Sequence, residues 1–216
     1  MSKSLFITFE GGEGSGKTTQ INRLSQTLSQ IGYKVVTTRE PGGTPEAEKI
    51  RDLIVQRDGG NWLPIAEVLL FFAARVTLVE KIIKPALAED KIVICDRFTD
   101  STTAYQGYGH GIDHHTIEQL SSITLGHFAP DVTIILDIDP KIGLERSDRR
   151  LAAEQFQVKQ REDRYEQLDL EFHKRLRKGF LNIAKDEPDR CHVIDASKDI
   201  DAVSGQIADI IREKLT

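Results

Sequence analysis

The sequence predicts an α/β protein built on a five-stranded, mainly parallel sheet with helices on both faces. Three observations carry that expectation. Short apolar, β-favouring runs (Leu5–Phe9, Val35–Thr38, Ile92–Cys95, Val132–Leu136 and Cys191–Asp195) alternate with longer segments whose apolar residues recur at helical spacing. Strands separated by helices need crossover connections, which make neighbouring strands parallel and cover both sheet faces. Glycine and proline fall between these segments, and no linker, internal repeat or low-complexity stretch interrupts the 216 residues. One domain spanning 1–216 is therefore expected, long enough to bury a sizeable core.

Composition narrows the class. With 39% hydrophobic and 29% charged residues and a net charge of −5, the chain reads as soluble and globular and lacks a general polyanion-binding face. Nucleic acid is not an expected partner, and any nucleotide must be held by local basic residues. Cys95 and Cys191 lie inside apolar strand-like runs and read as small buried hydrophobes, which fits a reducing compartment. Met1 to Ser4 lead into a strand too short for a signal-peptide core, and no apolar run reaches membrane-spanning length. The expected location is the cytoplasm, with no membrane association.

The first strand runs straight into Gly11-Gly12-Glu13-Gly14-Ser15-Gly16-Lys17-Thr18, which matches the phosphate-loop pattern G-x-x-x-x-G-K-[ST] at every required position. Such a loop needs glycine because its backbone N–H groups must turn inward around phosphate oxygens, in conformations a Cβ obstructs. Lys17 would reach the β- and γ-phosphates, and the Thr18 hydroxyl would be a ligand for Mg²⁺, a hard cation that prefers oxygen. The context fits: a strand precedes the loop, and Ile21, Leu24, Leu28 and Ile31 follow at helical spacing with Gly32 at the C-terminal end. That helix points its positive N-terminal end at the phosphates. The expected architecture is a three-layer P-loop NTPase sandwich.

The second strand leads into Arg39-Glu40-Pro41-Gly42-Gly43-Thr44, at the edge of a parallel sheet where ligands bind, or else an ordinary turn. A short amphipathic helix through Ala47, Ile50, Leu53 and Ile54 carries Arg51. From Pro64 to about Glu89 a long helix is apolar nearly all round and should be buried. Arg75 is an anomaly there, since a charge on a buried helix must be paired or used. Phe71 lies four residues earlier on the same face, so the two either offer a flat surface and a donor fork to a planar base, or are a core ring beside a structural ion pair. The third strand ends in Asp96-Arg97, where a Mg²⁺-associated carboxylate and a phosphate clamp are expected. The stretch Thr99–Gly107 is dense in hydroxyls and amides, and Gly107, Gly109 and Gly111 predict a flexible loop before the next helix.

After the fourth strand, Asp139-Pro140 caps and opens a helix. Between Arg146 and Arg164 lie Arg146, Arg149, Arg150, Lys159, Arg161 and Arg164, either a solvated charged helix or an Arg-rich lid over the phosphates, at about 146–164. Leu168, Phe172, Leu176, Phe180 and Ile183 mark another long helix, and Ile200, Val203, Ile207, Ile210 and Ile211 the last one.

Taken together, the loop Gly11–Thr19 with its G-x-E-G-x-G-K-T-T pattern, Arg39–Thr44, Phe71-Phe72-Ala73-Ala74-Arg75, and Asp96-Arg97 followed by Ser101–Gly107 resemble bacterial thymidylate kinase over nearly the whole length. The resemblance implies transfer of the γ-phosphoryl of ATP to dTMP with Mg²⁺, by a dimer formed through the long apolar helices. It implies ATP binding by Gly11 to Thr19, with Asp96 holding Mg²⁺ through water. It makes Phe71 the surface stacked on thymine, Arg75 the donor to its O4, and Glu13 the carboxylate for the 3′-hydroxyl. Arg97 with Arg51 would grip the 5′-phosphate. Glu40, Pro41, Ser101, Thr102, Tyr105 and Gln106 would line the sugar and base pocket, with Tyr105 disfavouring a ribose 2′-hydroxyl.

Where bacterial relatives carry a short R-G-type lid segment, this chain has Arg149-Arg150-Leu151-Ala152-Ala153-Glu154. The loop positions Gly12, Glu13, Gly14 and Ser15 offer no cation besides Lys17, so the lid must deliver the neutralising charge. Arg149, Arg150 and Arg161 are the candidates, with Arg146 and Arg164 fastening the lid's ends or contacting the adenine side. A GTPase-type switch is disfavoured because no N-K-x-D guanine motif follows, while another nucleotide kinase is the alternative within enzymes. The attacking phosphate oxygen is already ionised at neutral pH, so His110, His114, His115 and His127 are left as surface or loop residues.

Overall fold

The computed structural model describes residues 4–56, 60–153 and 164–215. Five strands, β1 (Leu5–Glu10), β2 (Val35–Arg39), β3 (Ile92–Asp96), β4 (Val132–Asp137) and β5 (Cys191–Asp195), form one sheet in the order β2-β3-β1-β4-β5, and every pairing is parallel. Leu5 is opposite Ile92 and Ile7 is opposite both Ile94 and Val132, so β1 is central and buried along its full length. Near-continuous apolar strands are what a sheet covered on both faces requires.

Alternation of side chains divides the core into two layers. Leu5, Ile7 and Phe9 point to α1 (Lys17–Gln30) and α9 (Ile200–Leu215), meeting Leu24, Leu28, Val203 and Ile207. Phe6, Val93 and Cys95 face the other way, onto Leu78, Ile83 and Leu125. Both cysteines are buried and unpaired. Gly32, in the left-handed region at φ 96°, follows the end of α1, a conformation a Cβ disfavours.

Two expectations need correction. The segment from Pro64 is helical to Ala88, as α3 (Pro64–Leu78), a π-helical turn (Val79–Ile83) and α4 (Lys84–Ala88), but it is not buried all round. Leu63, Ile65 and Leu69 are 72%, 39% and 52% exposed, an apolar face that nothing within the described chain covers. An apolar periphery on a helix identifies a face that must be covered, not what covers it.

The second correction concerns residues 99–109, which are helical: α5 (Thr99–Thr102) continues into a π-helical stretch, Thr103–Gly109. Gly107 and Gly109 are not loop flexibility. A Cβ at Gly109 would lie 2.4 Å from the ring of Phe172, and one at Gly179 would lie 2.8 Å from Tyr108, so these glycines let the π-helix and α8 (Leu170–Asp186) press together. The turn begins at His110, and Gly111 follows it with φ at 79°.

Two further helices are α2 (Pro45–Val55), capped by the Thr44 hydroxyl, and α6 (His114–Leu125), capped by Asp113. The basic segment begins in α7 (Pro140–Ala153). Among the described residues, no helix is long and apolar enough to cross a membrane.

Candidate active site

The strand ends of β1, β2 and β3 open into a cleft of about 1220 Å³ that runs from the phosphate loop to the face of α3. It brings together Glu13 to Thr19, Glu40, Pro41, Arg51, Phe71, Arg75, Asp96, Arg97, Ser101, Thr102, Tyr105, Gln106 and Arg150. This is the edge at which parallel α/β sheets bind ligands.

At one end the loop closes on itself. Gly11, Gly14 and Gly16 adopt φ of 134°, 63° and 91°, the conformations that Cβ atoms disfavour. Lys17 Nζ donates to the carbonyls of Gly11 at 3.1 Å and Gly12 at 3.0 Å. Burial, and then the charge of Arg97, push the Lys17 ammonium below the usual lysine range. Thr18 and Thr19 are exposed on the first turn of α1. Helix α7 docks against the loop, for a Cβ at Gly14 would lie 2.0 Å from the Gly143 carbonyl oxygen and one at Gly143 would lie 2.4 Å from that of Glu13.

In the middle, Arg97 is held at φ 70° with Nη1 donating to Gly11 O at 3.1 Å and Ser101 Oγ at 3.2 Å, and Nη2 to Glu13 Oε1 at 2.9 Å. The Tyr105 hydroxyl also donates to Glu13, and the Arg97 guanidinium lies 4.9 Å above the Tyr105 ring. Burial pushes the Glu13 carboxyl up, but Arg97, Lys17 and the Tyr105 hydroxyl outweigh it and hold it at about 2. Asp96 Oδ1 is buried and has no partner among the described residues. Beneath lies Glu10, which sequence reasoning passed over. It accepts from Phe98 N at 2.7 Å and Ser101 Oγ at 2.5 Å, and burial together with the charge of Asp100 raises it to about 8.

At the far end Arg75 is 1% exposed. Its Nε donates to Glu40 Oε2 at 2.7 Å, and its Nη2 to Phe98 O at 3.1 Å and Thr102 Oγ1 at 2.9 Å. The structural ion pair is therefore real, and burial pushes Glu40 up against the pull of Arg75. Yet Nη1 has no partner among the described residues, leaving one buried donor unused on the guanidinium. Arg51 Nη1 donates to Pro41 O at 2.8 Å.

The basic segment divides. Arg146 reaches Ala196 O at 3.1 Å; Arg150 lines the cleft, 3.8 Å from Glu166; Arg149 points outward to Glu145, with its side chain 77% exposed. Arg161 lies outside the described residues. Arg164 donates to Ile54 O at 2.9 Å and to Glu67, a buried carboxylate on α3 that sequence reasoning missed. His173, also missed, is buried beneath the loop and lowered, by burial first.

Comparison with known proteins points to one family. Residues 9–207 match the family model described as thymidylate kinase. The chain is 46% identical to a thymidylate kinase of Caulobacter vibrioides over 100% of its own length and 99% of the relative's. It is 45% identical to one from Geobacter sulfurreducens, over 97% of both chains. The crystal structure of thymidylate kinase from Ehrlichia chaffeensis superposes with a TM-score of 0.77 at 42% identity, covering 97% of this chain and 99% of that one.

Proposed function

The chain belongs to the thymidylate kinase family and is an ATP-dependent nucleotide kinase that converts dTMP to dTDP with release of ADP, and on that premise we propose how its cleft divides between the two substrates. The triphosphate lies over Gly11 to Thr19, with Lys17 on the β- and γ-phosphates. The monophosphate lies toward α3, with thymine on Phe71, its O4 on Arg75, its 3′-hydroxyl on Glu13 and its 5′-phosphate between Arg97 and Arg51. Glu40, Pro41, Ser101, Thr102, Tyr105 and Gln106 complete the pocket. The observation that carries this division is the Nη1 of Arg75, a buried donor without an acceptor among the described residues, in the same cleft as a phosphate loop.

The residues fit Mg²⁺: the orphaned Asp96 Oδ1 and the Thr18 hydroxyl are hard oxygen donors beside the loop. Asp96 would act through water. Bound there, Mg²⁺ would supply charge neutralisation for the transferring phosphoryl group. The protein's own work is positioning and electrostatics. Lys17 and Arg97 hold the donor and acceptor phosphates together, and Arg150, with Arg161, supplies charge from the lid at about 146–164, while Arg149, turned outward to Glu145, does not. The chain acts as one kinase domain, 1–216, in the cytoplasm. A second copy covers Leu63, Ile65 and Leu69 on α3, an apolar face suited to a homodimer.

Incubation with ATP, Mg²⁺ and a panel of nucleoside monophosphates, with ADP as the readout, tests the assignment. The expected outcome is ADP release with dTMP far above AMP, dGMP and dCMP. Turnover favouring any of these over dTMP would overturn it.

A further inference from the structure

Helix α3 carries a second buried charge. Glu67 is 2% exposed and precedes Phe71 by four residues and Arg75 by eight, so all three share a face of the helix. Its Oε1 accepts from Arg164 Nη2, and its Oε2 accepts from the Tyr165 hydroxyl at 3.3 Å. A carboxylate paired with a guanidinium offers only acceptors. The single proton of the Tyr165 hydroxyl must therefore point at Glu67, and its oxygen can only accept from its other neighbour.

That neighbour is Gln106, whose Nε2 lies 3.2 Å from the Tyr165 oxygen. The amide is thus held with its NH₂ toward Tyr165 and its carbonyl Oε1 turned away. Nothing along this line is loose. Gln106 is 1% exposed, and Tyr165 is 9% exposed with its ring edge-on to Tyr105 at 5.2 Å. Burial, and then the charge of Glu67, push the Tyr165 hydroxyl well above the usual tyrosine range, so it keeps its proton. Gln106 and Tyr165 line the cleft together with Phe71 and Arg75.

We propose that Glu67 and Tyr165 are positioning residues for base choice: by fixing the direction of the Gln106 amide they present a hydrogen-bond acceptor to N3 of the pyrimidine. The inference rests on the reading that this pocket takes thymine. Thymine and uracil offer N3–H as a donor and O4 as an acceptor, which match Gln106 Oε1 and the unpartnered Arg75 Nη1. Cytosine offers a bare N3 and a 4-amino group, so donor meets donor and acceptor meets acceptor. A glutamine free to rotate its amide by half a turn could satisfy either base, but one tied through Tyr165 to a carboxylate cannot. The discrimination lies in a repulsive opposition built two residues away from the base.

The test is the dissociation constants of dTMP, dUMP, dCMP and ATP, by calorimetric titration of the parent, Tyr165→Phe and Glu67→Gln. Phenylalanine removes the hydroxyl that orients the amide, while glutamine can donate as well as accept and so frees the direction of the Tyr165 proton. Both variants should narrow the dCMP-to-dTMP ratio by about tenfold or more. dUMP should track dTMP, and ATP should stay near the parent value. A merely structural role would weaken all three monophosphates by one factor, and an unchanged ratio in both variants overturns the proposal. Should Tyr165→Phe fail to fold, Glu67→Gln decides the question alone. A parent that does not prefer dTMP over dCMP would overturn the pocket assignment itself and the relay with it, whereas a preference that survives both substitutions undiminished overturns the relay alone.

Discussion

The phosphate loop closes within Gly11 to Thr18, using backbone conformation and one lysine, whereas the pocket at the other end of the cleft draws Glu40, Phe71, Arg75, Phe98, Thr102, Gln106 and Tyr165 from separate parts of the chain. The first is mainly a local device: glycine φ values and a helix N-terminus shape it, and Arg97 and α7 close against it from outside. The second is a tertiary one, in which buried charges hold one another in place and, among the described residues, the Nη1 of Arg75 is left over. A local device can lose its chemistry and keep its fold. In a tertiary one, recognition and stability are made of the same contacts.

The comparison can be broken in several places. The largest effect is expected at Arg75. Arg75→Met leaves Glu40 buried without its partner, and should cost about 3–5 kcal/mol of folding stability in denaturant titrations as well as dTMP binding. A variant as stable as the parent would show that the far pocket is not held by its charges. At the near end, Lys17→Ala should leave the melting temperature close to the parent's and lower turnover by about 10²–10³-fold. Near-normal turnover would remove the loop from the mechanism.

The lid sharpens the contrast, because two adjacent arginines are placed differently. Arg150→Ala should lower turnover by about a hundredfold or more with substrate affinities nearly kept, while Arg149→Ala, which removes an outward side chain paired with Glu145, should stay within a few-fold. Equal, small effects would mean that the charge comes from outside this helix.

The subtlest readout, a change in pH slope, concerns Glu10, on the strand floor beneath the Arg97 end of the cleft. Its folded-state value is raised from 4.5 to about 8 by burial and by Asp100. The proton is therefore bound more tightly in the folded protein than in the unfolded one. The stability this contributes is complete below about pH 4.5 and is lost as pH rises through 8. Thermal melts of Glu10→Gln should fall less steeply between these limits than those of the parent. Identical slopes would assign the pH dependence to other groups.

What the sequence made legible follows the same division. The loop, the five strands and the order of the helices are written in consecutive residues and short periods, and the structure has them. Arg75 stood out because a guanidinium on an apolar helix needs an explanation. Glu67 sits on that helix too, but near its N-terminus, where an acidic residue is ordinary, and its burial became visible only once Arg164 and Tyr165 were seen to reach it from 97 and 98 residues away. Glu10 was hidden by standing next to a stronger signal. Gly107 and Gly109 were misread because glycine marks a flexible turn and a close helix contact alike, and only the side chains packed on them, His114 and Ile117 at Gly107 and the ring of Phe172 at Gly109, tell the two apart. Tyr165 carried no signal at all, since a tyrosine in a charged segment has no period to betray it.

The central claim is that one cleft holds two separately built sites, and Phe71→Ala tests it most directly. Phe71 lies on the half-buried face of α3, in the cleft but outside the phosphate loop. Titrated with each substrate, the variant should bind dTMP more weakly by about 1–3 kcal/mol, the scale of stacking one base on an aromatic ring, with ATP affinity unchanged within error. A loss of ATP affinity as large as the loss for dTMP would contradict the division, and with it the assignment of the base to α3.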